Sequence, residues 1–163
     1  MSAFGGKADS DQPLLTNLDL RVHGLATNFI LKTQLQNPKV LSRSETPVEL
    51  ASFGAAWKSD EAVGTVRIVP PGPDLKGIDV AAAVTALDAQ SCKDKFASGR
   101  VTDRIDSDVI FRGFSSCDDS DGGRTVEHFI VPRTQGGGFI VFSISSSVGF
   151  YEASNFPGVA RVL

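Results

Sequence analysis

Thr125-Val-Glu-His-Phe-Ile-Val-Pro-Arg-Thr-Gln-Gly-Gly-Gly-Phe-Ile-Val-Phe-Ser-Ile-Ser-Ser-Ser147 reads as two strands joined by a glycine-rich turn. Alternation sets Val126, His128 and Ile130 on one face of the first strand and Glu127, Phe129 and Val131 on the other. In the second strand Phe139, Val141 and Ser143 alternate with Ile140, Phe142 and Ile144. Large apolar groups on both faces predict a central strand covered from both sides. Pro132 lacks a ladder donor and ends the first strand, while Gly136, Gly137 and Gly138 can supply the positive φ of a reversal.

The remaining residues must cover that hairpin, and 163 are enough for one ordinary domain, burying roughly 68–70% of the unfolded surface. A net charge of −3 gives no basic patch for nucleic acid or an anionic membrane. No apolar run approaches the ~20 residues of a membrane helix. Met1-Ser-Ala-Phe-Gly-Gly-Lys runs into Ala-Asp-Ser-Asp without an apolar h-region, so the reading is either a cytoplasmic protein or an exported one whose signal lies outside this chain. The aromatic set is 11 Phe with one Trp and one Tyr, which suits packing better than hydrogen-bonded recognition. Cys92 and Cys117 are the two cysteines and permit one disulfide, which implies an oxidising compartment. The alternative is two separate thiols.

Residues 1–17 are polar and aperiodic and read as a disordered leader, leaving 18–163 as a single α+β domain. Leu18, Leu20 and Val22 alternate before Phe29-Ile30-Leu31, which predicts one or two strands broken at Gly24. Val48 to Pro70 reads as a hairpin, with Leu50, Phe53 and Trp57 in one arm and Val63, Val66, Ile68 and Val69 in the other. Lys58-Ser-Asp-Glu reverses it and Pro70-Pro-Gly-Pro ends it. A long helix follows from Asp79, whose carboxylate can cap it, to about Ser98-Gly99. Val80, Val84 and Leu87 form its apolar stripe, with Cys92 on the flank. Arg100 to Ile105 and Val109 to Ser115 return to strand, and Asn155-Phe156-Pro157 can open a short final helix. The expected architecture is an antiparallel sheet of five to six strands with one long helix and a short C-terminal helix packed on it.

That order of elements resembles the superfamily containing the photosystem extrinsic protein PsbP, eukaryotic Ran-binding import factors and bacterial envelope proteins such as DcrB. The likeness rests on Ala81 to Phe96 as helix and on Gly113 within Val109–Ser115. It rests also on Gly122-Gly-Arg-Thr-Val-Glu-His-Phe-Ile-Val followed by Gly138-Phe-Ile-Val-Phe-Ser-Ile. It implies a helix-covered antiparallel sheet, a non-catalytic role and a protein partner. The superfamily shares no catalytic residue set to carry over.

The chemical motifs are thin. Asp118-Asp-Ser-Asp-Gly122 looks like part of a calcium loop, but aligning Gly122 to the turn glycine puts Cys117 and His128 at the end positions. A solvated turn is the plainer reading. His23 and His128 stand far apart with no cluster of further ligands, so no metal or cofactor is expected. Ser143, His128 and Asp108 can be drawn as a nucleophile–base–acid set, without a Gly-x-Ser-x-Gly elbow. Asp103, Asp106, Asp108 and Glu127 can be drawn as a carboxylate pair, whose spacing the sequence does not give. Among the seven arginines from Arg67 to Arg161, Arg112, Arg124 and Arg133 sit on or beside predicted strands and suit either cross-strand ion pairs or an acidic partner.

The function expected from these residues is a non-catalytic protein-interaction domain of a bacterial-type envelope protein, periplasmic or secreted, with Cys92–Cys117 stapling helix to sheet. The alternatives are a small apolar-ligand module with Phe residues between sheet and helix, and a hydrolase whose site the sequence does not locate.

Overall fold

The computed structural model describes residues 17–32, 35–47, 54–105, 108–120 and 122–147. Seven antiparallel strands form one sheet: β1 (Lys39–Val40), β2 (Ala55–Lys58), β3 (Ala62–Val69), β4 (Lys95–Ile105), β5 (Asp108–Asp119), β6 (Gly122–Pro132) and β7 (Phe139–Ser146). Their spatial order is β1-β2-β3-β7-β6-β5-β4, so β7 is the middle strand with β6 beside it. The hairpin expected from alternation is therefore the centre of the sheet. Its turn uses positive φ at Gly136, Gly137 and Gly138, and the Arg133 amide donates to the Gly138 carbonyl at 3.0 Å.

Among the described residues, two helices cover the sheet, one on each face. The first, α1 (Asn17–Lys32), replaces the strands expected at 18–36. Val22, Ala26, Phe29 and Ile30 are buried at i, i+4, i+7 and i+8, a helical stripe that outweighs the short Leu18/Leu20/Val22 alternation. This stripe packs on Trp57, Val66, Phe129 and Phe142, with the Phe29 ring stacked 4.5 Å from that of Phe142. Helix α2 (Gly77–Ser91) lies on the other face against Ile130 and Val141, with Phe111 and Phe139 beside them.

Helix α2 starts earlier and ends sooner than expected. Asp79 is in its first turn rather than at the cap, and its carboxylate accepts the Lys76 amide at 3.3 Å. The helix stops at Ser91 because tertiary contacts capture the next residues. The Asp119 carboxylate accepts the Lys93 and Asp94 amides at 2.9 and 3.1 Å, and Cys92 is disulfide-bonded to Cys117. Lys95–Ser98 is then strand, not helix. The buried stripe is Val80, Ala81, Val84 and Thr85, while Leu87 is 46% exposed. At Gly113 the helix lies so close to β5 that an added Cβ would sit 2.9 Å from Thr85 Cγ2.

Seven strands thus stand where five to six were expected; the additional pairing comes from β1 beside β2 and from the early start of β4. The Val48–Pro70 hairpin is present as β2 and β3, although Leu50 and Phe53 fall outside the described residues. The expected leader over residues 1–16 and the C-terminal helix at 155–157 also lie outside them; Asn17 belongs to α1.

Candidate functional site: a groove beside the second helix

Because side chains alternate, β7 offers the α2 face Phe139, Val141, Ser143 and Ser145, which shrink and turn polar toward one end. Register places His128 opposite Ser143 on β6 and Thr65 opposite it on β3. Helix α2 packs over β4, β5 and β6, where large apolar groups meet it. Beyond its edge, over β3 and β7, the small polar residues leave a groove of about 480 Å³. That volume falls within the range of small-molecule sites, roughly 300–1,000 Å³. Val63, Val84, Leu87 and Val126 supply its apolar lining, while Thr65, Ser143 and His128 form one polar row across β3, β7 and β6, with Arg67 one pair further along β3.

A hydrogen-bond chain runs from that row to α2. Ser143 Oγ is 2.7 Å from His128 Nδ1, and His128 Nε2 is 2.8 Å from Asp88 Oδ2. A carboxylate only accepts, so Nε2–H donates to Asp88, and in the neutral ring Nδ1 accepts the hydrogen bond of the Ser143 hydroxyl. Ser115 donates to the same Asp88 oxygen at 2.7 Å. The four side chains tie α2 to β5, β6 and β7, and His128 and Ser115 are both buried. Arg67 is half-buried on the same sheet face. Burial pushes its guanidinium below its ordinary pKa, and the negative charge of Asp88 works against that shift. Arg124 closes one end of the groove, donating to Ser91 Oγ at 2.8 Å. The charged groups lining the groove among the described residues are Arg67, Arg124 and Asp88, two cations to one anion.

Two members of the set drawn from Ser143, His128 and Asp108 are in contact. Ser143 and His128 meet, and the carboxylate at the other His128 nitrogen is that of Asp88 on α2, forty residues from His128 in sequence. Asp88, Ser115 and Thr65 were missed. The turn offered a signal for one contact: pairing Pro132 with Phe139 across the hairpin fixes His128 opposite Ser143. Nothing local marks Asp88 beyond its place on the flank of an apolar helical stripe.

The three singled-out arginines do not form one surface. Arg112 lies on the α1 face, bridging Asp103 at 3.3 Å and buried Glu127, with its guanidinium 5.2 Å from the Phe129 ring centre. This bridge also accounts for two of the four acids considered as a carboxylate pair. Arg124 borders the groove, and Arg133 donates to the Gly137 carbonyl at the far hairpin turn. Asp119, the last residue of β5, caps the α2–β4 connection by accepting the Lys93 and Asp94 amides. Cys92 and Cys117 form the disulfide that closes this corner, with Asp119 beside them. His23 is on α1, where its carbonyl accepts the Thr27 hydroxyl.

No described helix is long and apolar enough to cross a membrane. Comparison with protein-family models and with curated proteins finds no match for this chain.

Proposed function

We propose that this domain binds a small amphiphilic anion, of the alkyl carboxylate class, in the groove between α2 and the β3–β7–β6 surface. The observation that carries this reading is that Arg67, His128 and Ser143 line the same trough as the apolar Val63, Val84, Leu87 and Val126. Val63 and Leu87 are large apolar side chains left about half exposed, and an alkyl chain laid on them removes that surface from water. The surplus positive charge selects an anionic head. This is the apolar-ligand reading of the sequence with one change, since the described lining uses Val and Leu where Phe was expected. Calorimetric titration with decanoate tests it. Saturable binding on the order of tens of micromolar is expected, weaker by tenfold or more for decanol and for the Arg67→Met variant. Equal affinity for decanoate and decanol, or no heat of binding, rejects it.

A second reading, the expected protein-interaction role, is favoured by β4. This eleven-residue strand forms one edge of the sheet, and its sole strand partner among the described residues is β5. Arg100 and Arg104 on that exposed edge suit strand addition by an acidic segment. The disulfide supports placing the domain in an oxidising compartment, periplasmic or secreted. Membership of the PsbP-like superfamily is a proposal that rests on element order alone.

A further inference from the structure

The geometry points to Ser143 as a nucleophile, which makes the groove a site for acyl-ester hydrolysis; this rests on the amphiphile reading and extends it from binding to chemistry. The chain of contacts supplies the required parts. Ser143 Oγ is held 2.7 Å from an imidazole nitrogen, and the other nitrogen is 2.8 Å from a carboxylate that Ser115 also fixes. Ser143 and His128 both line the groove, so the relay faces a space that an ester can enter rather than sealed core.

With the acyl chain on the Val/Leu walls, the ester carbonyl reaches Ser143. The serine oxygen attacks the carbonyl carbon as its proton passes to His128 Nδ1, and Asp88 stabilises the imidazolium through Nε2–H. The bond from the carbonyl carbon to the alkoxy oxygen then breaks, and His128 returns the proton to the departing alcohol. Water repeats the sequence on the acyl-serine, releasing the carboxylate and restoring the serine hydroxyl. The backbone of Ser143 belongs to a strand paired on both sides, so donors for the developing oxyanion must come from side chains. Thr65, directly opposite on β3, and Arg67, one pair further along that strand, are donors on that face that can serve it. Asp88 acts here as a positioning residue.

A decyl fluorophosphonate probe tests this, read by intact mass and peptide mapping, alongside decanoate calorimetry on the unmodified protein. The expected result is one adduct on Ser143, slowed by decanoate and absent from Ser143→Ala. His128→Gln should label at least roughly a hundredfold more slowly. Asp88→Asn should lower the maximal labelling rate without raising the probe concentration that half-saturates it, a split that mere loss of folding does not produce. If His128→Gln fails to fold, Asp88→Asn carries the test. Decanoate binding without a Ser143 adduct overturns the inference and leaves the binding reading standing. Absence of both overturns the two together. An adduct formed as fast in Asp88→Asn as in the native protein also overturns the inference.

Discussion

Removing Asp88 tests whether the polar chain holds α2 against the sheet. Asp88→Ala deletes the acceptor shared by His128 Nε2–H at 2.8 Å and the Ser115 hydroxyl at 2.7 Å. Ser115 is 2% exposed, so its donor is stranded in a dry site. His128 borders the groove, where water can replace part of what is lost. Each buried donor without a partner costs about 1–3 kcal/mol, so the sum for the two is about 2–4 kcal/mol with His128 at the low end. For a chain of this size each kcal/mol lowers Tm by about 2–4 °C, giving a fall of roughly 4–16 °C. Ser115→Ala alone removes a donor but leaves Asp88 its histidine, and should cost about 1 kcal/mol. In the double variant one stranded donor no longer exists, so its cost should fall short of the sum of the singles by about 1–2 kcal/mol. Urea unfolding of the native protein, both singles and the double measures all four corners. An Asp88→Ala variant within about 0.5 kcal/mol of the native protein, or strictly additive singles, refutes the reasoning.

Three further outcomes follow from other parts of the fold. Phe29→Ala removes the α1 ring stacked on Phe142 and should cost about 3–5 kcal/mol by chemical denaturation; a loss below about 1 kcal/mol would mean α1 is not docked there. Reducing Cys92–Cys117, which closes a separation of 25 residues, should lower stability by about 3–4 kcal/mol. Thiol titration before and after reductant, paired with a melting curve, checks both the bond and its effect. Glu45 accepts the Ser42 amide and hydroxyl and pairs with Lys39, and the Lys39 hydrogen bond leads the contacts that lower its pKa from 4.5 to about 2. A carboxylate depressed in the folded state contributes stability above 4.5 and loses it as pH falls toward 2. Glu45→Gln should therefore flatten the acid limb of the stability profile between those values, by an amount reduced by solvent screening.

The middle of the sheet was legible because β6 and β7 repeat large apolar residues at period two, which no helix accommodates. Helix α1 was not, because its buried stripe includes the small Ala26, an exposed Gly24 lies inside the helix, and the first residues happen to alternate. The end of α2 was misread for a different reason. Lys93-Asp-Lys-Phe contains no breaker, and what stops the helix is the Asp119 carboxylate and the disulfide to Cys117, both from β5, 25 or more residues away. Such tertiary contacts override local propensity and leave no trace in a window of sequence. The site divides the same way. The contact of Ser143 with His128 follows from hairpin register, whereas its completion by Asp88 depends on how α2 lies across the sheet. The groove itself follows from β7 ending in Ser143 and Ser145 on a face that begins with Phe139 and Val141; reading that strand as apolar on both sides concealed it.

Amide chemical shifts followed during a decanoate titration test the groove most directly. The account predicts saturable changes grouped at Val63–Arg67, Val84–Asp88 and Ser143–Ser145, with α1 and the 133–138 turn unmoved. Shifts scattered over the surface, or confined to the α1 side of the sheet, would contradict it.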